Sequence, residues 1–244
     1  MQPETLNLEI LAREAGMDAD NLKRLLVFRC ASEHLSKETC GKIYARGLFG
    51  TDKPMKGLPA AELAQRVTEL LKSSRVNHVL GCRDTAVALA KQYGTNVEDA
   101  ERAALLHDIT KALDGPLQLT LCREYGTMLD TFSTKNPKTL HALTGSLVAE
   151  RIFGENPAVV SAIRCHTTGK ANMNLLEKII YVADYMEPNR DFPGVERLRE
   201  LAFTNITAAL KLGLEMTLAM LQQQGREISP VSSQALAYLE QNGV

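Results

Sequence analysis

Apolar residues recur at intervals of three and four along nearly the whole chain, as in AAELAQRVTELLKSS (60–74), RDTAVALAKQYG (83–94) and VEDAERAALLHDITKAL (97–113), and strand-like alternation is almost absent. A repeat of this period cannot keep apolar side chains on one face of a strand, so the expected fold is all-α, helix packed on helix. Gly94, Gly126, Gly154 and Gly169, with Pro116, Pro137, Pro157, Pro188 and Pro193, fall at the ends of the periodic segments, whereas Gly213 falls inside one. No repeat of 20–50 residues and no low-complexity segment is visible, which sets aside a solenoid and a disordered tail.

At 244 residues the chain can build one large core with an appendage. The turn-rich stretch Gly47–Pro54 separates residues 1–46 from the long helical remainder. Residues 1–57 are therefore read as a small N-terminal helical appendage of unknown role, and 58–244 as the main domain.

Charge and composition narrow the function. A formal net charge of −1 gives no general attraction for polyanions, and an aromatic content of 5% without Trp is poor material for stacking on bases, so nucleic acid is not an expected partner. The five cysteines are widely spaced with no C-x-x-C, which fits reduced thiols in a cytoplasm better than a disulfide framework or a zinc knuckle. The N-terminus MQPETLNLEILAREAG lacks the basic and apolar regions of a signal peptide, and the richest apolar run (179–183) is broken at once by Asp184. No membrane association is expected.

Polar residues that interrupt apolar helical segments carry the chemistry. His107 and Asp108 lie side by side in AALLHDITK, whose other residues are built for burial and whose periodicity predicts continued helix. A buried unpaired carboxylate is very costly, and a metal ion satisfies imidazole and carboxylate together while leaving Asp108 a second oxygen for another ion. Asp184 breaks NLLEKIIYVADYMEP in the same way. His166 closes AVVSAIRCHTTG, His141 opens TLHALTGSLVAERIFG, and His78 sits in SSRVNHVLG. Each alone reads as a core or helix-end histidine, but their joint occurrence points to a metal site. Lys111, on the side of Asp108, and Arg190, in EPNRDFPG, are candidates for phosphate contacts, with Thr168 a weaker one from the cluster Thr167, Thr168 and Lys170. His34 stands among polar neighbours and reads as surface, Cys165 reads as packing, and Gly81–Asp84 lacks the glycine density and preceding strand of a phosphate loop.

The order H…HD…H…H…D, realised by His78, His107-Asp108, His141, His166 and Asp184, resembles the HD-domain superfamily of metal-dependent phosphohydrolases. The stretches AALLHDITK, TLHALTGSLVAERIFG and AIRCHTTGKANMNLLEKIIYVADYMEPNRDFPGVERLRELA, with the tail REISPVSSQALAYLEQNG, are similar to the bacterial YqeK family of symmetrical diadenosine tetraphosphate hydrolases. The resemblance covers roughly 62–240, leaving 1–57 outside it. It implies an HD-domain helical bundle and two divalent or mixed-valence transition ions, iron first, where the residues themselves say only iron, manganese or zinc.

By the same analogy one ion takes His78, His107, Asp108 and Asp184, and the other takes His141 and His166 with Asp108 bridging. The implied reaction is cleavage of diadenosine tetraphosphate, a dinucleoside polyphosphate, into two ADP, with Asp108, Lys111 and Arg190 at the reacting centre and Lys111, Thr168 and Arg190 on the phosphates. Another HD-type nucleotidase or alarmone pyrophosphatase, or a nucleotide-sensing binding module, remains as an alternative reading. A homodimer and a protein partner for residues 1–57 stay open.

Overall fold

The structure, a computed structural model, describes residues 6–243 and contains no strand among them. The helices are α1 (Leu8–Glu14), α2 (Ala19–Val27), α3 (Lys37–Ala45), α4 (Ala60–Leu70), α5 (Ser73–Tyr93), α6 (Val97–Leu106), α7 (Gly115–Glu124) and α8 (Thr131–Lys135). They continue with α9 (Leu140–Val148), α10 (Pro157–Cys165), α11 (Leu175–Met186), α12 (Val195–Ala202), α13 (Ile206–Gln223) and α14 (Pro230–Gln241). The all-α expectation holds, and no helix of the described residues is long and apolar enough to cross a membrane.

Side-chain caps set where the central helices begin. Asn96 accepts from the Asp99 amide at 3.1 Å, Asn156 from the amides of Ala158 and Val159, and Asn174 forms a reciprocal capping box with Glu177. The heart of the bundle is α5, about 30 Å long at 1.5 Å per residue, packed on α6 and α11, with α10 bridging α6, α9 and α11. Small residues on α6, namely Ala100, Ala103 and Ala104, are fully buried and let these helices approach closely.

Two expected helices end early, for reasons that lie far away in sequence. The 60–74 pattern breaks after Leu70, where Leu71 is extended (ψ 160°), because the Arg24 Nε of α2 takes the Leu70 carbonyl at 2.6 Å. The 97–113 pattern stops at Leu106. Beyond it the chain tightens into three-residue turns, with the amides of Ile109, Lys111 and Leu113 bonded to the carbonyls of Leu106, Asp108 and Thr110. Thr110 Oγ1 donates to the His141 carbonyl at 3.1 Å, and Asp114 caps α7, whose start carries Pro116. His107 and Asp108 thus sit just past a helix end rather than inside a helix.

Residues before 58 share one continuous apolar core with the bundle, through Leu22, Leu25, Leu26, Phe28 and Ile43. Tyr125 donates its hydroxyl to the Phe28 carbonyl at 2.6 Å, and Glu33 pairs with Arg123 at 2.6 Å. His34 lies out here, 3.4 Å from Thr120, away from the other histidines.

Candidate metal centre

His78 comes from α5, His107 and Asp108 from the turn after α6, His141 from the first turn of α9, His166 from the C-terminal cap of α10, and Asp184 from α11. The packing of these helices brings all six side chains together in the interior. His107, Asp108, His141 and His166 are each no more than 2% exposed.

Hydrogen bonds fix which nitrogen of each ring faces the cluster. Nδ1 of His107, His141 and His166 lies 2.7, 2.9 and 2.6 Å from the carbonyls of Ala104, Lys138 and Ile163, each three residues earlier. A carbonyl can only accept, so each Nδ1 carries the proton and each neutral ring turns its Nε2 lone pair inward. His78 Nδ1 is held in the same sense by the buried Glu187 carboxylate at 3.1 Å. Burial, the largest effect, pushes the imidazoles of His107 and His141 well below their usual range and that of His166 down to about 4, which keeps them neutral.

Asp108 stands at the centre with its two oxygens facing different histidines. Oδ2 lies 3.5 Å from His107 Nε2 and 3.7 Å from His78 Nε2, while Oδ1 lies 3.5 Å from His141 Nε2 and 3.8 Å from His166 Nε2. Asp184 Oδ1 completes the first half, 3.1 Å from His78 Nε2 and 3.8 Å from His107 Nε2. Burial would raise the Asp184 carboxyl, but the adjoining His78, then His107 and Arg190, hold it well below the ordinary carboxylate range. His78 with His107 and Asp108, His107 with His166 and Asp184, and Asp108 with His141 and His166 each form a group able to hold an ion.

The donor set fits a cation on chemical grounds. Nε2 of His166 is buried without any hydrogen-bond partner, and the Nε2 atoms of His78 and His107 face one another at 3.3 Å. Lone pairs pointed at each other and at carboxylates repel unless positive charge lies among them. Imidazole and carboxylate together match the divalent transition ions.

Three cationic side chains ring the cluster. Lys111 Nζ lies 2.9 Å from His141 Nε2, and burial pulls its amine down to about 8. Arg190 bonds Asp184 Oδ1 at 2.6 Å and the Asp184 carbonyl at 2.9 Å. Arg75, which sequence reasoning missed, donates to Asp108 Oδ2. Its signal was available, because it stands three residues before His78 and so on the same face of α5.

Glu187 was also missed. Its Oε2 accepts from the Asn189 amide and side chain, both at 2.8 Å, and Arg199 fastens the loop by donating to the carbonyls of Met186, Glu187 and Arg190. Gly81 makes room for this carboxylate, since a Cβ there would lie 2.5 Å from Glu187 Oε2. The Gly81–Asp84 stretch, which is not expected to be a phosphate loop, lies within α5.

Thr168 is the one candidate placed elsewhere. It lines a neighbouring cleft of about 370 Å³ with Thr167, Cys165 and Lys170, and its hydroxyl donates to the Gly169 carbonyl at 3.0 Å. Gly169 takes the tight turn after His166 in the left-handed region (φ 65°). Cys165 is packing as expected, with burial raising its thiol to about 12.

Residues 75–189 match the family model described as HD domain. Over 167 residues, 68% of this chain and 89% of the relative, the chain is 42% identical to the symmetrical bis(5'-nucleosyl)-tetraphosphatase of Halalkalibacterium halodurans. The Bacillus subtilis protein of the same name is 37% identical over 67% of this chain and 88% of its own length. A crystal structure of an HD superfamily hydrolase described as involved in NAD metabolism, from Clostridium acetobutylicum, matches with a TM-score of 0.73 at 35% identity, covering 76% of this chain and 98% of that one.

Proposed function

We infer the reaction from kinship: the chain belongs to the HD-domain family of symmetrical bis(5'-nucleosyl)-tetraphosphatases, and it is an enzyme, a phosphoanhydride hydrolase of that family. Its substrate in this reading is diadenosine tetraphosphate, cut at the middle anhydride into two ADP. The observation that carries the two-ion centre of this proposal is the division of Asp108, Oδ2 toward His78 and His107 and Oδ1 toward His141 and His166. One ion is assigned to His78, His107, Asp108 and Asp184, and a second to His141, His166 and the other oxygen of Asp108.

When bound, such a pair of ions lowers the pKa of water and offsets the charge that develops on a phosphoryl group. The chain's own residues do the rest. The protonated Nδ1 atoms keep every Nε2 lone pair aimed at the centre, and the carbonyls and Glu187 that hold them stop the rings from turning. With Asp108 and Asp184 shared among cations, Arg75 and Arg190 have N–H groups to give to phosphoryl oxygens, Arg190 as a fork and Lys111 as a point charge. ADP departs as a phosphate anion, so the site needs positive charge more than a proton donor. Thr168, on the cleft beside His166, is assigned to the outer phosphates.

Iron is the first assignment, and the donor set accepts manganese or zinc as well. The five cysteines are free and buried, which supports a reducing, cytoplasmic setting. Residues 1–57 are kept as an appendage to a hydrolase domain spanning 58–244.

Metal analysis of the purified protein, coupled to chromatography of its products, tests the reading. About two ions per chain and ADP as sole nucleotide product are expected. ATP plus AMP would overturn the symmetrical cut, orthophosphate from a mononucleotide would make the chain a nucleotidase, and tight binding without cleavage would make it a sensor. Dialysis against a strong chelator should abolish turnover and leave the helical circular dichroism nearly unchanged. Persistent activity at a metal content near zero would exclude the dinuclear reading.

Glu187→Gln isolates the support of His78. It keeps the shape but removes the charge behind the ring, so metal affinity should fall by roughly 10- to 100-fold, as is usual for such partners. Equal metal affinity of wild type and variant, measured by competition with a chromogenic chelator, would reduce Glu187 to a packing role.

A further inference from the structure

Away from the metal centre, a pocket of about 260 Å³ lies where residues 27–56 meet the end of α9, and its charged lining is entirely cationic: Arg29, Lys53, Lys56 and Arg151. On a chain with a formal net charge of −1, four cations around one small cavity mark a strongly positive local field. Glu69 answers Lys53 at 2.7 Å, while Lys56 has no ion-pair partner among the described residues.

The two arginines are fixed in place. Arg29 lies 4.1 Å over the Tyr44 ring and donates Nη2 to the Thr51 carbonyl at 2.8 Å. Arg151 lies 4.6 Å over the Tyr125 ring and donates Nη2 to the Tyr125 carbonyl at 2.8 Å. A guanidinium has five N–H donors, so each arginine is preorganised with donors to spare, the state suited to forked contacts with phosphate oxygens.

The backbone is built around the same place. Arg29 (φ 60°) and Phe49 (φ 59°) hold left-handed conformations that non-glycine residues rarely adopt, at a cost on the order of 1 kcal/mol or more each. Such strain clusters at ligand sites. A wide π-type turn, Ala149–Phe153, carries Arg151 into the pocket, and the stem of Lys56 passes over Gly154, where a Cβ would come within 3.2 Å. Met55 and Ile152 supply an apolar wall.

We propose that this pocket is a second anion site, which takes a polyphosphate chain, either inorganic or that of a nucleoside diphosphate, and clamps the N-terminal segment onto the bundle. Arg151 follows His141 by ten residues on one nearly continuous helix, an axial separation on the order of 15 Å, so the pocket is separate from the metal centre. The proposal does not depend on which reaction that centre performs.

Acetylation footprinting of the intact, metal-loaded protein tests it, with inorganic tripolyphosphate as the probe and Lys91 as the internal reference. Lys56 should react about tenfold more slowly once the anion reaches roughly ten times its Kd, and Lys91 at an unchanged rate. ADP forms the second arm: protection equal to that by tripolyphosphate assigns the site to the phosphate chain, and stronger protection adds a nucleoside contact at Met55 and Ile152. An unchanged Lys56 rate, or equal slowing by sodium chloride at matched ionic strength, overturns the proposal. The double variant Arg29→Gln/Lys56→Gln should lose one tripolyphosphate site by calorimetry and keep wild-type turnover, and an unaltered stoichiometry overturns it too. Should that variant fail to fold, the wild-type footprint decides alone.

Discussion

Asp108→Ala is expected to lower turnover by about 10³-fold or more, since in the proposed dinuclear reading several kcal/mol of charge stabilisation depend on the ions that it would bridge and each 1.36 kcal/mol is a factor of ten. Metal content should fall from two ions toward none. Each half of the centre keeps imidazoles, but neutral imidazoles alone leave two dications facing each other with no anion between them. Within 4 Å, His141 and His166 meet Asp108 Oδ1 alone among the carboxylates of the described residues, so the second ion should go first, whereas His78 and His107 also meet Asp184 at that range. Asp184→Asn should therefore weaken one ion and spare the other, an asymmetry that metal titration reads directly. Fold should survive in Asp108→Ala, because the polar contacts of the side chain are with site groups, the four histidines and Arg75, and its main loss is the ion pair with Arg75. Two ions per chain in Asp108→Ala, with activity near wild type, would remove the bridge from the mechanism.

The site residues were legible because each breaks a pattern. His107 and Asp108 interrupt a run of residues made for burial, and Asp184 interrupts another, so the sequence itself marks them as polar groups in need of a partner. What the sequence hid is set by distant partners. Helix α6 stops at Leu106, not 113, because the following turns answer Thr110, which reaches a carbonyl on α9, and the cap at Asp114. Arg24 ends α4 from 46 residues away. Glu187 looks like an ordinary charge at a helix end until folding brings it to His78, 109 residues earlier. Arg75 likewise looks like a solvated cation until Asp108 meets it. Periodicity reports which side chains are buried, but not which buried or half-buried charges find each other.

Arg102→Ala is expected to destabilise the protein by about 3–5 kcal/mol, the range for removing one partner of a buried pair. Arg102 on α6 grips Glu155 with two bonds of 2.7 Å, from Nε and Nη2, and gives a third to the Leu58 carbonyl at 2.7 Å. The side chains are 10% and 2% exposed, so a lone Glu155 carboxylate could neither rejoin water nor find another cation. The Leu58 carbonyl would lose its donor as well, at the point where the chain enters the bundle before α4. For a domain of this size, with about 2–4 °C per kcal/mol, the melting temperature should drop on the order of 10 °C. Arg102→Met/Glu155→Leu separates pairing from packing: with both charges removed, much of that loss should return, because the pair itself contributes little beyond its own desolvation. Arg102→Ala within 2 °C of wild type would show that Glu155 is solvated or protonated in the folded protein, and a double variant as unstable as the single one would assign the effect to shape rather than to the stranded charge.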